Sequence, residues 1–402
     1  MTFSKKILSL VLAALMIFSA VGFVSCGTEK NYAANNTEFY IGLSGPLTGG
    51  AAAYGLAVQN SAMMAVEEIN AAGGLNGIKF KVVAKDDKHD PTNVSNTYST
   101  MYEEGMQVSL GCVTTKPGLE FSKLSAEDNV FFLTPSATGD DIPKVANGYQ
   151  MCFADSNQGA EAAKYVNELY KGQTIGVLFR SDDPYSTGIL AKFKENLDSS
   201  ITLTEANFAG ETVASFDAQI DILKNCKFIF MPIYYDPASQ FMAQAKDKVA
   251  PDAVYYGCDG LDGIDSIEGF DISSIPQGVS FISHYNSQAT EGPAKTFNEK
   301  YVAKYGADTL NQFGASAYDC VYAIYNAMKE IYEADNSKIY VTMSASELCE
   351  LLKAKFNGGF TFTGITGEYK DGVQSSISWE STGYVNKQAI KYDVKAPTKA
   401  AQ

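Results

Sequence analysis

Arginine and histidine are nearly missing from this 402-residue chain. Arg180 is the only arginine, and His89 and His284 are the only histidines. Arginine is the usual side chain for bidentate contacts to phosphate, so its scarcity argues against nucleotides and phosphate esters as ligands. The formal net charge of −15 opposes binding to the phosphates of nucleic acid. We therefore expect no nucleic-acid partner.

Recognisable catalytic motifs are also missing from the sequence. It contains no GxxxxGK[ST] phosphate loop, no GxGxxG fingerprint, no HExxH and no GxSxG. Two histidines so far apart in sequence make a histidine-based metal site or a Ser-His-Asp triad difficult to assemble. The acidic run at 86–91 lacks the ligand spacing and central glycine of a calcium loop, and we interpret it as a solvated loop. These absences predict a protein that is not an enzyme and needs no metal or cofactor.

The one long apolar run lies at the N-terminus. Two lysines precede apolar residues 7–18, and small residues lead to Cys26, an order typical of a secretory signal. The run is shorter than the roughly 20 residues of a membrane-spanning helix. The segment before Cys26 resembles a bacterial lipobox, which implies cleavage of residues 1–25 and a diacylglycerol on the Cys26 sulfur. A plain signal peptide is the alternative. Residues 26–37 would then form a linker, and the charge would become −17, because the removed segment carries two lysines and no acids.

The other cysteines are dispersed along the chain and form no CxxC pair. They are Cys112, Cys152, Cys226, Cys258, Cys320 and Cys349. Their pairing cannot be deduced from spacing. Several lie in apolar strand or helix patterns, where a free cysteine behaves as a small hydrophobic residue. We predict mostly free thiols.

The remainder of the chain alternates predicted strands with predicted helices. The first series has strands at 38–44, 78–85, 108–112 and 130–133, and helices at 54–70, 91–105 and 117–128. The second has strands at 174–179, 201–207, 227–233 and 253–257, and helices at 161–169, 187–197, 215–224 and 238–248. Helices dominate 290–356, and short strands follow over 364–392. This order predicts an α/β protein with two Rossmann-like lobes, parallel-rich central sheets and a cleft between the lobes.

Five segments directly follow predicted strands, where ligands of open α/β sheets bind. They are 45–54, 112–117, 134–138, 234–237 and 257–260. The second and third offer hydroxyls and backbone amides near helix starts, which suit an anion. Asp259, in the fifth, suits a cation, although a strand-end aspartate can also cap a helix. An anion pocket, a carboxylate and nearby tyrosines together favour a zwitterion such as a free amino acid.

The same segments resemble the type I periplasmic binding proteins that serve branched-chain amino acid ABC transporters, typified by the leucine/isoleucine/valine-binding protein. The resemblance covers nearly all of 38–392. It is strongest at 42–49, 54–55, 65–70, 72–74, 86–87 and 134–138. It implies two lobes hinged by three crossovers. Residues 38–156 with 282–364 would form the N-terminal lobe, and 157–281 with 365–395 the C-terminal lobe.

The resemblance also implies roles for particular residues. Thr115 and Thr114 match the hydroxyl that holds the ligand carboxylate, and Asp259 matches the acid that pairs with the α-ammonium. The strand-end residues that bind both groups correspond to Ser136, Ala137 and Thr138. Aromatic or nearby pocket positions correspond to Tyr54, Tyr185, Tyr235 and Tyr285. His89 stands where well-known members have a cysteine, so their disulfide to the strand near Cys112 cannot form here.

The resulting expectation is a monomeric, lipid-anchored, extracytoplasmic solute-binding protein. It would capture a branched-chain or similar amino acid, such as leucine, and deliver it to an ABC transporter permease. Three alternatives stay open: an extracellular sensor of the same fold, a binding protein for amides or urea-like solutes, and a secreted enzyme. The enzyme is least favoured because no nucleophile–base pair is visible.

Overall fold

The computed structural model describes residues 30–396, of which residues 32–396 belong to one compact unit. The α-helices are α1 Ala52–Ala71, α2 Pro91–Glu103, α3 Thr115–Glu127, α4 Asp155–Leu169, α5 Pro184–Asn196, α6 Asp217–Leu223, α7 Tyr235–Ala245, α8 Gly292–Tyr305, α9 Gln312–Ala334 and α10 Ala345–Asn357. The strands are β1 Phe39–Gly45, β2 Phe80–Asp86, β3 Val108–Ser109, β4 Phe132–Thr134, β5 Gly148–Gln150, β6 Thr174–Arg180, β7 Thr202–Phe208, β8 Phe228–Met231, β9 Val254–Gly257, β10 Gly278–Ser283, β11 Thr361–Phe362, β12 Tyr369–Lys370, β13 Val373–Gln374, β14 Ile377–Ser378 and β15 Ile390–Lys395. The predicted signal segment and Cys26 lie outside the described residues.

The first lobe is built on a parallel sheet with the strand order β2-β1-β3-β4-β5. Strand β1, the second in this order, buries Phe39, Ile41 and Leu43 completely, in one hydrophobic core with Val58 of α1 and Val321 of α9. Residues of α2 and α3 pack in a separate core with side chains of β2 and β4. Helices therefore cover both faces of the sheet, which explains why its strands read as nearly continuous apolar runs.

The second lobe is built on a six-stranded sheet with the order β15-β10-β9-β8-β6-β7. Five strands are parallel, and β15 returns from the end of the chain to pair antiparallel with β10. The chain therefore passes between the two sheets at three places, near 151–154, 284–291 and 386–389. The predicted α/β fold with two parallel-rich sheets is confirmed.

The segment between α10 and β15 contacts the first lobe. Trp379 donates its indole N–H to the carbonyl of Gln150 at 2.8 Å, and its ring lies 4.8 Å from that of Phe356. Sequence reasoning assigned 365–395 to the second lobe. From these contacts we propose that 365–385 belongs with the first lobe and that only 390–395 belongs with the second.

Some elements differ from the sequence prediction. β5 and β10 were not predicted: β5 has only three residues, too few for a periodic pattern. Helix α5 begins at Pro184 rather than Thr187, because the Asp183 side chain caps it by accepting from Tyr185 N. The prediction of free thiols is confirmed for the six cysteines named above, all of which are free and buried.

Candidate functional site

The two lobes touch through loops at the carboxyl ends of their strands. Tyr54, near the start of α1, donates its hydroxyl hydrogen to the carbonyl of Gly260 at 2.5 Å and accepts from Tyr235 N at 3.3 Å. In the opposite direction, Ala53 N donates to the Tyr235 hydroxyl at 3.2 Å. The loops after β1, β8 and β9 therefore meet across the lobe boundary, as expected for the mouth of a cleft.

Gly260 allows the second-lobe loops to pack this closely. A Cβ at this position would lie 2.6 Å from the Tyr185 hydroxyl and 2.9 Å from the carbonyl oxygen of Ile233. Gly260 N also donates to the Tyr185 hydroxyl at 2.8 Å. Any larger residue would push Tyr185 away from the neighbouring Asp259.

Asp259 places a carboxyl group at the centre of this contact. One oxygen, Oδ1, accepts from the Tyr185 hydroxyl at 2.8 Å, and the backbone N–H of Asp259 donates to Gln158 Oε1 at 3.0 Å. The other oxygen, Oδ2, is buried and accepts no hydrogen bond within 3.5 Å from residues 30–396, although the Gln158 side chain and the Gly260 backbone both act to lower the pKa of the carboxyl. Burial raises the pKa of Asp259 to about 7. A cation beside Oδ2 would therefore be strongly favoured.

Several other buried polar atoms around Asp259 have no partner in the described part of the chain. They are Thr115 Oγ1, Asp155 Oδ1, Gln158 Nε2, Asp183 Oδ2 and the Tyr234 hydroxyl. We call these five residues together with Asp259 the cleft cluster. The Tyr234 hydroxyl interacts electrostatically with all three carboxyls and with the backbone of Thr115, which joins the members in one place. An unsatisfied buried polar group costs about 1–3 kcal/mol, so the cluster favours a ligand that offers both donors and acceptors.

Aromatic rings form a wall of the cleft cluster. Tyr185 stacks on Tyr234 with ring centroids 4.5 Å apart and planes 11° from parallel. Tyr54 lies 5.8 Å from Tyr234, and the His89 ring meets the same tyrosine edge-on at 5.2 Å. These rings exclude water while their hydroxyls still serve as hydrogen-bond partners.

The carboxyls of the cleft cluster hold their protons more tightly than ordinary aspartates. Burial raises the pKa of Asp155 well above its usual range and that of Asp183 to about 6, where the charge of Arg180 offsets part of the effect. The negative charge of Asp259 adds to the effect at Asp155. A cation bound beside these carboxyls would lower their pKa values again. Within residues 30–396 no three His, Cys, Asp or Glu side chains are arranged to hold a metal ion.

The geometry is that of a two-lobed ligand clamp, and comparison with known proteins agrees. A family model described as periplasmic binding protein matches residues 38–369. The chain belongs to the periplasmic binding protein family. This is an extracytoplasmic family of binding proteins and not of enzymes.

Individual relatives cover most of this binding protein. The leucine-, isoleucine-, valine-, threonine-, and alanine-binding protein of Pseudomonas aeruginosa is 28% identical over 355 residues, 84% of this chain and 88% of the relative. The branched-chain amino acid transporter substrate-binding protein of Streptococcus pneumoniae, solved with isoleucine, has a TM-score of 0.70 and 25% identity and covers 88% of this chain and 99% of its own. An ABC transporter solute-binding protein from R. palustris, solved with benzoate, has a TM-score of 0.72 and 16% identity and covers 91% and 98%.

Most of the site residues predicted from sequence lie at or beside the cleft. Tyr54, Tyr185 and Tyr235 line the lobe contact, and Thr115 and Asp259 belong to the cleft cluster. The backbone N–H groups of Ser136 and Ala137 donate to Thr134 Oγ1 at 3.3 and 3.1 Å. The carbonyl of Thr138 accepts from Asp155 N at 2.9 Å, and the Thr138 side chain opposes the rise in the pKa of the Asp155 carboxyl.

Two predicted residues of the binding protein have other partners. The hydroxyl of Thr114 is 2.8 Å from His89 Nδ1, so it is held by a side chain of its own lobe. The hydroxyl of Tyr285 lies 2.7 Å from Asn298 Oδ1 and 3.1 Å from the carbonyl of Ala294, and its ring packs with Phe297. The structure does not bring Tyr285 to the cleft cluster. The predicted lipidation site, Cys26, lies outside the described residues.

Four members of the cleft cluster were not chosen from the sequence. Asp183 directly precedes Pro184 at the start of α5. The pair is a recognisable helix-cap pattern, and it lies just after the end of strand β6. Tyr234 directly precedes Tyr235, and the sequence does not show which of the two faces the ligand. Asp155 and Gln158 lie in the first turn of α4, just after the first crossing between the lobes. The sequence pattern does not reveal this position, because it does not predict the short strand β5 that precedes the crossing.

Replacing Tyr54 by phenylalanine tests the lobe contact. The variant loses the bond to Gly260, which is worth about 1 kcal/mol, or roughly fivefold in the ratio of closed to open molecules. We expect a larger radius of gyration in small-angle X-ray scattering. Tyr301→Phe is the control, since it removes a hydroxyl bonded to Thr309 Oγ1 at 2.8 Å inside the first lobe. Equal radii for the two variants would contradict the assigned role of Tyr54.

Proposed function

We propose that this binding protein captures a free α-amino acid, branched-chain or similar, and delivers it to an ABC transporter permease. The observation that carries the proposal is the buried Asp259 carboxyl with one unpartnered oxygen. An α-ammonium group beside Oδ2 would supply the missing partner. This ammonium would also offset the free-energy cost of burying the Asp259 carboxylate, so that neither an arginine nor a metal is needed.

The negatively charged carboxylate of the ligand would bind at the start of α3. Thr115 is the first residue of this helix, and its buried hydroxyl has no partner in the described chain. Backbone N–H groups and the helix dipole at such a position favour a carboxylate. The Tyr234 hydroxyl, which lies beside the Thr115 backbone, can donate to the same group. A zwitterion would therefore bridge the first lobe at Thr115 and the second at Asp259.

The named ligands of the relatives support this layout. The Pseudomonas protein is named for five amino acids, and the Streptococcus protein was solved with isoleucine. The R. palustris protein was solved with benzoate, which shares only the carboxylate. A second candidate is thus an aromatic carboxylate, which the Tyr185–Tyr234 stack favours. The unpartnered carboxyls of the cleft cluster oppose it, because an anion alone leaves them without a cation.

Asp259→Asn tests the ammonium contact. The change keeps the shape of the side chain and removes its charge. We expect it to weaken amino-acid binding by about 2–5 kcal/mol, the usual effect of breaking a buried charge pair. A thermal-shift screen with amino acids and aromatic carboxylates identifies the ligand first, and isothermal calorimetry then measures the variant.

The matched control for that test is Asp262→Asn. Asp262 is also buried, and burial also raises its pKa to about 7, but it accepts from Gln312 N at 2.8 Å and is not part of the cleft cluster. Its replacement should leave the dissociation constant within about twofold of wild type, the scatter of a substitution without a lost contact. Wild-type affinity in Asp259→Asn would refute the assignment of Asp259.

Amino-acid affinity should depend on pH. The free Asp259 carboxyl titrates with a pKa of about 7, and an ammonium pairs only with the ionised form. Affinity should therefore fall as the pH drops from 8 to 6, and binding below pH 7 should release protons. Calorimetry in two buffers of different ionisation enthalpy measures that release. The protons that Asp259 releases on binding should be missing in Asp259→Asn. A wild-type affinity that does not change between pH 8 and 6 would contradict the mechanism.

We propose that the chain is anchored to the membrane by a lipid on Cys26. The support is the lipobox-like order of residues before this cysteine. Among the described residues no helix is long and apolar enough to cross a membrane. The partner is proposed to be a permease, and an extracellular sensor of the same fold would differ only in that partner.

Cys26→Ser in the full precursor tests the anchor. The variant should move from the membrane fraction to the soluble fraction of a bacterial host, because no sulfur is left for the thioether. Mass spectrometry of the wild type should show the diacylglycerol. Cys226→Ser, at a buried free thiol, is the control and should stay in the membrane fraction. A soluble wild-type chain cleaved before residue 26 would support the plain signal peptide instead.

A further inference from the structure

A cavity lies where the chain crosses between the lobes. It has a volume of about 640 Å³, within the range of small-molecule sites. Its walls come from the second crossing (284–291), the third crossing (386–390) and the segments 365–369 and 375–377. No member of the cleft cluster lines it. We call it the hinge cavity, and it is separate from the proposed amino-acid site.

Lys387 brings a cation to the wall of the hinge cavity. Its side chain is partly buried, and its ammonium group donates to Ser316 Oγ at 3.5 Å. Within residues 30–396 no carboxylate oxygen lies within 4.0 Å of this nitrogen. Burial lowers the pKa of Lys387 to about 8. A buried cation without a carboxylate contact is costly, so the site favours an added anion.

Asp319 is the acid that acts most strongly on Lys387, but its oxygens are already occupied. Its Oδ1 accepts from Ile365 N at 2.9 Å, and its Oδ2 accepts from the backbone and hydroxyl of Thr366 at 2.8 and 2.6 Å. The Asp319 carboxylate therefore holds the turn at 364–366. It acts on the Lys387 charge through space and is not among the hydrogen-bond partners of the ammonium.

His284 supplies a second polar group in the same wall. Its side chain is 3% exposed, Nε2 lies 2.6 Å from Ser316 Oγ, and Nδ1 has no protein partner in the described chain. Lys387 can only donate to Ser316, so the Ser316 hydroxyl is free to donate its hydrogen to Nε2. In that arrangement the neutral imidazole carries its hydrogen on Nδ1. This N–H is then a donor that lacks an acceptor.

The rest of the wall defines the kind of anion. Ile365, Ile377 and Tyr369 offer apolar surface for an organic body. Glu291 and Glu368 line the same cavity and would repel a second negative charge on the ligand. We propose that the hinge cavity binds a small organic monocarboxylate whose oxygens contact the Lys387 ammonium and His284 Nδ1. Because two of the crossings form its walls, this ligand would also change the affinity of the amino-acid site, and the coupling would be reciprocal.

Calorimetric titration with butyrate and benzoate tests the site, with benzamide as an uncharged match for benzoate. We expect saturable binding of the carboxylates to the wild type and no binding of benzamide. Lys387→Met should weaken carboxylate binding at least tenfold. Lys391→Met, a change of the same type on β15, should not. Unchanged binding in Lys387→Met, or no saturable binding of either carboxylate to the wild type, would overturn the proposal.

Crystals of the wild type soaked with 4-bromobenzoate give a test that does not depend on the folding of a variant. The expected result is anomalous bromine density in the hinge cavity, with the carboxylate within hydrogen-bond distance of Lys387 Nζ. Density confined to the cleft between the lobes would overturn the hinge site. Failure of the Asp259 experiment leaves this result unaffected, because no residue is shared between the two sites.

Discussion

The carboxyl of Asp259 is held out of water at the end of β9, and the surrounding structure is arranged around that burial. Tyr185 stabilises one oxygen, and Gly260 leaves the space that Tyr185 needs. The second oxygen has no protein partner within the described chain. A buried charge in this position is unfavourable until a cation joins it. In the proposed function, the ammonium of the ligand stabilises the Asp259 carboxylate when the lobes enclose it, so ligand binding and lobe contact depend on each other.

The direct contacts between the lobes include single hydrogen bonds and one partly exposed ion pair. Tyr54 makes one hydrogen bond to the Gly260 carbonyl, and His89 approaches Glu211 at 3.7 Å. Each contact of this kind contributes about 1 kcal/mol or less. A ligand that binds both lobes would add its own contacts to these and so favour the closed state. Three crossings of the chain connect the two large sheets.

Sequence reasoning succeeded where a local pattern determines the structure. Alternating apolar strands and helices predicted the parallel sheets, and the strand-end position of Asp259 predicted a place in the cleft. It did less well where a side chain has two possible directions. Tyr285 follows a strand as Tyr234 does, yet its hydroxyl contacts Asn298 inside the first lobe. Thr114 precedes Thr115 and carries the same hydroxyl, but His89 holds it. These choices depend on packing between segments far apart in sequence.

The positions of Arg180 and Lys387 help to explain why the cleft is acidic. Arg180 contacts Asp182 and Glu211, so the one guanidinium of the chain is already paired by acids of its own lobe. Lys387 lies in the hinge cavity and not in the cleft cluster. Neither cation forms an ion pair with Asp155 or Asp259, and in the proposed function the ammonium of the ligand supplies the positive charge beside Asp259. The same distribution separates the two proposed ligands: a zwitterion matches the cleft, whereas a monocarboxylate, which has no cationic group, matches the cation in the hinge.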